Sequence, residues 1–376
     1  MCHRIKKITK EKPKNRMNIE AELRKDGIEI VGRLDTLSVN TLAKSAAEKI
    51  CRTFPRAHFV SSQLFIELSR IPMYIVHMPE GFSEANYFYK SSSIYFKQGI
   101  PLEELEKLAV HEFIHYIQET KDAKGTLIRL GLCDFTEFKT YGMALNEGAV
   151  QLATAKVLNQ EPDIVKYYHI SLPTTSPSYY PLLCNLVQQL AYLVGNDVLF
   201  DSTLFSNDQF KTQLIEVCGK KPFIKIQDNL DFLLNTEEKI IKLNNQLIED
   251  DCEGTKAEKI VNKIDKYKRD LKKIFMETQN IIFTTYFNNE FNKLSTTESI
   301  EVYRAKLYNY KNYIGITDGY SHFNNYYIDK MVALEDRYEA ILNNVAIVPV
   351  KESKIANLFK ILRNLFSWNK ESEWNN

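Results

Sequence analysis

The stretch PLEELEKLAVHEFIHYIQ, residues 101–118, constrains the fold more than any other. It announces a helix: Pro101 suits the first helical position, Glu103 and Glu104 complement the positive helix end, and apolar residues dominate from there to Ile117. His111, Glu112 and His115 stand inside that apolar run. Phe113, Ile114 and Ile117 call for burial, and a glutamate carried into the interior with them needs a partner. Either other parts of the chain bring polar or metal chemistry to this helix, or HEFIH is five residues of an ordinary buried helix.

Positions four apart on a helix are neighbours, about 5–6 Å between Cβ atoms. His111 and His115 can therefore each put a ring nitrogen about 2.0–2.1 Å from one Zn²⁺. Glu112 projects about 100° round the axis, given roughly 3.6 residues per turn. From there it reaches a metal-activated water without binding the metal. Zinc lowers the pKa of its water towards about 7, and a carboxylate takes the proton and passes it to a leaving amine. These residue types at this spacing point to metal-assisted hydrolysis.

A catalytic zinc usually has three protein ligands. The longer pattern HExxHxxGxxH is absent, since Gln118 and Lys121 stand where its glycine and last histidine would be. The best downstream carboxylate is Glu147, in DFTEFKTYGMALNEGAVQLATAKVL. There Asp134 and Glu137 resemble a capping box, and Phe138, Tyr141, Leu145, Ala149 and Leu152 form a helical stripe. The expectation is a second helix with Glu147 two to three turns inside it. Ala144, Gly148, Ala149 and Ala153 would let the HEFIH helix approach closely, and Gly125 and Gly131 would let the chain turn back antiparallel. His169, in KYYHISLP at an expected helix end, is the alternative third ligand.

HEFIH followed by LNEGAVQLA resembles the gluzincin metallopeptidases of the thermolysin and aminopeptidase type, over about residues 70 to 200. The resemblance implies a zincin-like catalytic core with Zn²⁺ as cofactor and a peptide or protein as substrate. By residue it implies His111, His115 and Glu147 as zinc ligands and Glu112 as general base. It also implies that SIYFK, residues 93–97, is an edge strand that pairs with substrate backbone. A Tyr or His then stabilises the oxyanion, with Tyr141, Tyr179, Tyr180 and His169 as candidates. The spacer between His115 and Glu147 is longer than in thermolysin-like enzymes and nearer to that of clostridial neurotoxin light chains. Gln151 stands where a thermolysin-like enzyme has an aspartate that orients the first histidine, and a glutamine can still accept a hydrogen bond.

The rest of the chain sets the frame for this site. IEIVG (28–32), MYIVHM (73–78) and SIYFK read as strands, and VNTLAKSAAEKICRTF between them reads as an amphipathic helix. From Pro101 to about Gly219 the pattern is almost wholly helical. Sheet first and helices after is an α+β order: a small N-terminal sheet packed on a mainly α-helical core, residues 17–220 forming one metallopeptidase domain. In 221–345, Leu233, Ile240 and Leu247 recur every seven residues, as do Leu234, Ile241 and Ile248. After EDDCEGT come Ile260, Ile264, Tyr267, Leu271 and Ile274, so a long helical hairpin arm is expected. Residues 346–376 hold an amphipathic helix, 352–368, and a tail. A basic amphipathic helix can lie on a membrane, but docking onto the protein's own body is the commoner use of such a face. Residues 1–16 read as a basic, disordered tail.

Composition narrows the function. Lys plus Arg is 49 against 48 for Asp plus Glu, a net charge of +1, which argues against a nucleic-acid binder. The six cysteines show no CxxC spacing and read as reduced thiols rather than zinc ligands. Without an apolar segment after the N-terminal charges or a run of 18 apolar residues, the expected compartment is the cytoplasm. Two alternatives to a general peptidase stand beside it: a toxin- or effector-type protease with one protein substrate, and a non-catalytic binding protein using the helical arm.

Overall fold

The computed structural model describes residues 20–343 apart from 22, 26, 80–82, 137–139, 250–253 and 317–321. The expected N-terminal tail (1–16) and the amphipathic helix at 352–368 lie outside the described residues. The architecture is α+β. Contacts divide the chain into two units, 1–286 with 309–325, and 287–308 with 326–376.

The first unit opens with a four-stranded sheet of β1 (Glu29–Arg33), β2 (Met73–His77), β3 (Ala85–Phe88) and β4 (Ser93–Lys97), ordered β1-β2-β4-β3. β1 and β3 run antiparallel to their neighbours, while β2 and β4 are parallel. Between β1 and β2 the chain forms α1 (Thr36–Thr53), whose cap Asp35 accepts from the Ser38 N–H at 2.9 Å, and α2 (Ser61–Leu68). The strands expected at 28–32, 73–78 and 93–97 and the helix between them are all present.

One expectation about this sheet is overturned. SIYFK is not the edge: β4 is paired on both sides, and β3 is the edge strand. The residues explain why. Ser93 to Phe96 are all buried, and Ile94, Tyr95 and Phe96 form the unbroken apolar run of an interior strand, whereas ANYF alternates, with Asn86 exposed.

The chain leaves β4 through Gly99 and enters α3 (Leu102–Gln118), with Pro101 as its cap and Glu103 and Glu104 in its first turn. α3 is pinned to α1 by Glu106, which accepts from Ser45 and pairs with Lys49 at 2.5 Å.

The segment expected to be helical from 101 to 219 is interrupted twice. After α3 the chain forms a second four-stranded sheet, β5 (Glu119–Lys121), β6 (Leu127–Leu130), β7 (Cys133–Phe135) and β8 (Thr140–Tyr141). The next helix, α4, spans Met143–Val157 and not 134 onwards. Gly142, at φ 75°, is in the left-handed region that only glycine enters freely, and it closes the strand and caps the helix. Asp134 is no helix cap. It lies in β7 and pairs with Lys211 at 2.5 Å. The second interruption is the hairpin β9 (Asp163–Tyr167) and β10 (Ile170–Thr174), turned by Tyr168 and His169, both at positive φ. His169 is therefore in an exposed hairpin turn, not at a helix end.

α5 (Pro181–Val194), α6 (Asn196–Phe205) and α7 (Gln209–Cys218) follow. α4 is buried on nearly every face. Its small residues admit a neighbour, but at Gly148 that neighbour is α5: a Cβ there would stand 2.8 Å from Val187.

α8 (Lys220–Glu249) and α9 (Gly254–Phe291) are the expected long helices. Leu233, Ile240, Ile264 and Leu271 are buried between and beneath them, while Ile241 and Ile248 face out, the latter 77% exposed. Asp231 of α8 accepts from the Ala144 N–H at 3.0 Å, giving α4 the capping carboxylate that its own sequence lacks.

The second unit comprises the end of α9, most of α10 (Thr297–Tyr310) and most of α11 (His322–Leu342). Tyr303 packs edge-on against Phe287, and the buried Arg337 donates to the Leu294 carbonyl at 2.7 Å. Among the described residues, no helix is long and apolar enough to cross a membrane.

Candidate metal centre

α3 and α4 lie antiparallel, and three polar contacts fix their register. The Gln118 and Asn146 carboxamides bond each other twice, at 3.3 and 3.4 Å; Glu147 faces both histidines; His111 Nδ1 meets Gln151 Oε1 at 2.8 Å. Numbers rise along one helix as they fall along the other. Asn146 Oδ1 also accepts from the Leu132 N–H at 3.0 Å. Gly131 makes this packing feasible, because a Cβ there would lie 2.2 Å from Asn146 Oδ1 and 2.3 Å from Gln118 Nε2.

The structure brings His111, His115 and Glu147 together, with ligand atoms all within 4.8 Å of one another. The Nε2 atoms of His111 and His115 are 3.0 Å apart, and each lies 3.5 Å from one oxygen of Glu147. Donors about 2.0–2.2 Å from one tetrahedral centre are spaced about 3.3–3.6 Å from each other; the nitrogen–oxygen distances of 3.5 Å fall in that range and the two imidazoles stand closer, at 3.0 Å, so the three side chains could hold a metal ion. Two imidazoles and one carboxylate are donors that first-row transition-metal ions accept, zinc among them.

The surroundings support the same geometry. Gln151 accepts from His111 Nδ1, which leaves Nε2 as the lone-pair nitrogen facing Glu147 and His115. Gln151 is itself held, donating to Ser176 Oγ at 2.9 Å, and Ser176 donates to the Tyr179 carbonyl at 2.6 Å. Nothing in the sequence marked Ser176 as part of this chain of bonds.

Electrostatics reflect the crowding. For Glu147, burial raises the pKa, but the two imidazoles, His115 above all, pull it well below the usual carboxylate range. For His115, burial opposes the charge, the Glu147 carboxylate outweighs it, and the pKa rises to about 8. The buried His115 Nδ1 has no hydrogen-bond partner. Glu112, 6% exposed, is pushed up by burial against the lowering pull of His111 and His115, and its carboxylate accepts from the main-chain N–H of Tyr87 on the edge strand.

These residues line a cleft of about 730 Å³ whose floor is α3 and α4 and whose wall is β3. Tyr179 and Tyr180 line it; Tyr141 and His169 do not. Tyr180 sits at φ 50°, ψ 45°, a conformation strained for a tyrosine. Burial, then Glu147 and Glu112, push its phenol well above the ordinary value, so it stays a neutral donor. The third-ligand alternative His169 is exposed on its hairpin turn and stands outside this cluster. Comparisons with protein-family models, with curated proteins and with solved structures found no match.

Proposed function

We propose that the protein is a zinc-dependent peptidase with a zincin-like catalytic core. The observation that carries this is the convergence of His111, His115 and Glu147 from two helices at zinc-ligand spacing, with Glu112 beside them on a cleft floor. Bound by the three, Zn²⁺ supplies polarisation of the scissile carbonyl and a water of lowered pKa.

This chain's own residues do the rest. Glu112 takes the proton of the attacking water and returns it to the leaving amine. Its burial raises its affinity for a proton, as a general base working near neutral pH requires. The Tyr87 N–H holds one carboxylate oxygen in place meanwhile. β3 has a free side away from β4, so an extended substrate can add to it as another strand. Tyr180, of the four oxyanion candidates, combines a place on the cleft with closeness to Glu112 and Glu147, and it donates to the oxyanion.

Metal analysis with a peptide-cleavage assay tests the proposal. Purified wild type holds about one zinc per chain and loses activity to a chelator; His115→Ala loses the metal. Unchanged metal content in His115→Ala would refute the ligand set. Tyr180→Phe keeps the metal and lowers kcat by about 10²–10³-fold, the usual cost of one oxyanion donor. A kcat equal to wild type would remove Tyr180 from that role.

A further inference from the structure

One half of the cleft carries polar groups that zinc chemistry does not use. Along α4, Glu147, Gln151 and Thr154 follow at helical spacing on the cleft side, with Leu158 just past the helix end; along α3, so do Glu104, Lys107, Leu108 and His111. The antiparallel register places Thr154 and Leu158 beside the first turns of α3. Thr154 is 3% exposed, yet its Oγ1 has no hydrogen-bond partner. Gln160 Oε1, also on the cleft, is likewise buried without a partner. A buried polar group left unpaired costs about 1–3 kcal/mol, so such groups in the wall of a cleft call for a ligand that completes them.

Glu84 and Glu104 stand at the rim of the same half. The Tyr179 hydroxyl donates to Glu84, and Glu104 acts on the same phenol. Lys107 is the only lysine or arginine among the described residues that line the cleft, and Glu104 pairs with it at 2.8 Å. Two carboxylates, a carboxamide oxygen and an unpaired hydroxyl make a surface dominated by acceptors, bearing net negative charge. What completes it is an ammonium or guanidinium.

We propose that this half of the cleft is a subsite for a cationic group of the peptide substrate. The proposal rests on the peptidase function above. Glu104 is seven residues before His111, about 10 Å along the helix at roughly 1.5 Å per residue. An extended substrate covers that in about three residues at roughly 3.3 Å each. The cation is a Lys or Arg side chain near the scissile bond, or the substrate's free N-terminal ammonium, which has the same chemistry.

The full-length, zinc-loaded protein is assayed with matched peptides carrying Lys, Arg or norleucine at each of three positions on either side of the cleaved bond, each with a free and an acetylated N-terminus. The expected result is a kcat/KM at least about tenfold higher for the cationic peptide, about 1.4 kcal/mol. Preference for Lys or Arg in acetylated peptides identifies a side chain, and preference for the free N-terminus identifies the ammonium. Glu84→Gln combined with Glu104→Gln brings the cationic peptide down to its neutral match. Peptides cleaved equally well with or without the cation would overturn the subsite and leave the peptidase standing; a preference that survives the double substitution would overturn it too. Cleavage of no peptide at all would remove both.

Discussion

Glu112→Gln lowers kcat by about 10²–10⁴-fold, the range spanned by general-base contributions, while the purified variant keeps its zinc. Glutamine has the shape of glutamate and can still accept the Tyr87 N–H, but it cannot take a proton. Glu112 is not among the three groups that converge as ligands, so removing its charge leaves the metal held by His111, His115 and Glu147. Single-turnover cleavage and metal content, measured on the same preparation, check both halves of the expectation. A variant with near-wild-type kcat would take proton transfer away from Glu112. Metal lost together with activity would make its role structural.

Glu237→Gln stabilises the protein at neutral and alkaline pH and does little in acid. Glu237, on α8, is 4% exposed, and its Oε1 has no partner. Burial raises its pKa from 4.5 to about 8, against the lowering effect of the Tyr167 hydroxyl. The sign follows from proton linkage. Between pH 4.5 and 8 the folded protein holds a proton that the unfolded chain has released, so stability is full below about 4.5 and falls as pH rises through about 8. At pH 7 the cost is on the order of 3 kcal/mol, from roughly 2.5 pH units at about 1.36 kcal/mol each. Glutamine carries no such proton, and its oxygen still accepts from Tyr167. Urea unfolding of both proteins at pH 5 and pH 8 checks this, with the gap between them expected to widen at the higher pH. Parallel pH profiles would mean that Glu237 ionises in the fold as it does in water.

The parts of the fold that the sequence declares are those with a sustained period. β1, β2, β4, α1, α3 and the long helices α8 and α9 all have enough residues to show one. β5 to β8 have two to four residues each, too few for alternation to register. The stripe through Phe138, Tyr141, Leu145 and Leu152 ran across a real boundary, and Gly142 was the residue that marked it. The cluster of His111, His115 and Glu147 is legible because a metal site of this kind needs few residue types at fixed spacing. The residues around it were not, since Ser176, Asp231 and the Tyr87 N–H reach the site only through tertiary packing. Thr154 was within reach of sequence reasoning, lying seven residues, about two turns, after Glu147.

The interlocked carboxamides of Gln118 and Asn146 have a consequence for how this chain tolerates change. The strands β5 to β8 lie on an excursion of the chain that returns to within hydrogen-bonding distance of its starting point. Its Asp122–Gly125 turn is exposed, while Gly131 and Leu132 pack against the pair, so a change in length at that turn is expected to leave the stem closed. The distance between the two helices at Gln118 and Asn146 is therefore set by this side-chain pair and not by the length of chain that joins them.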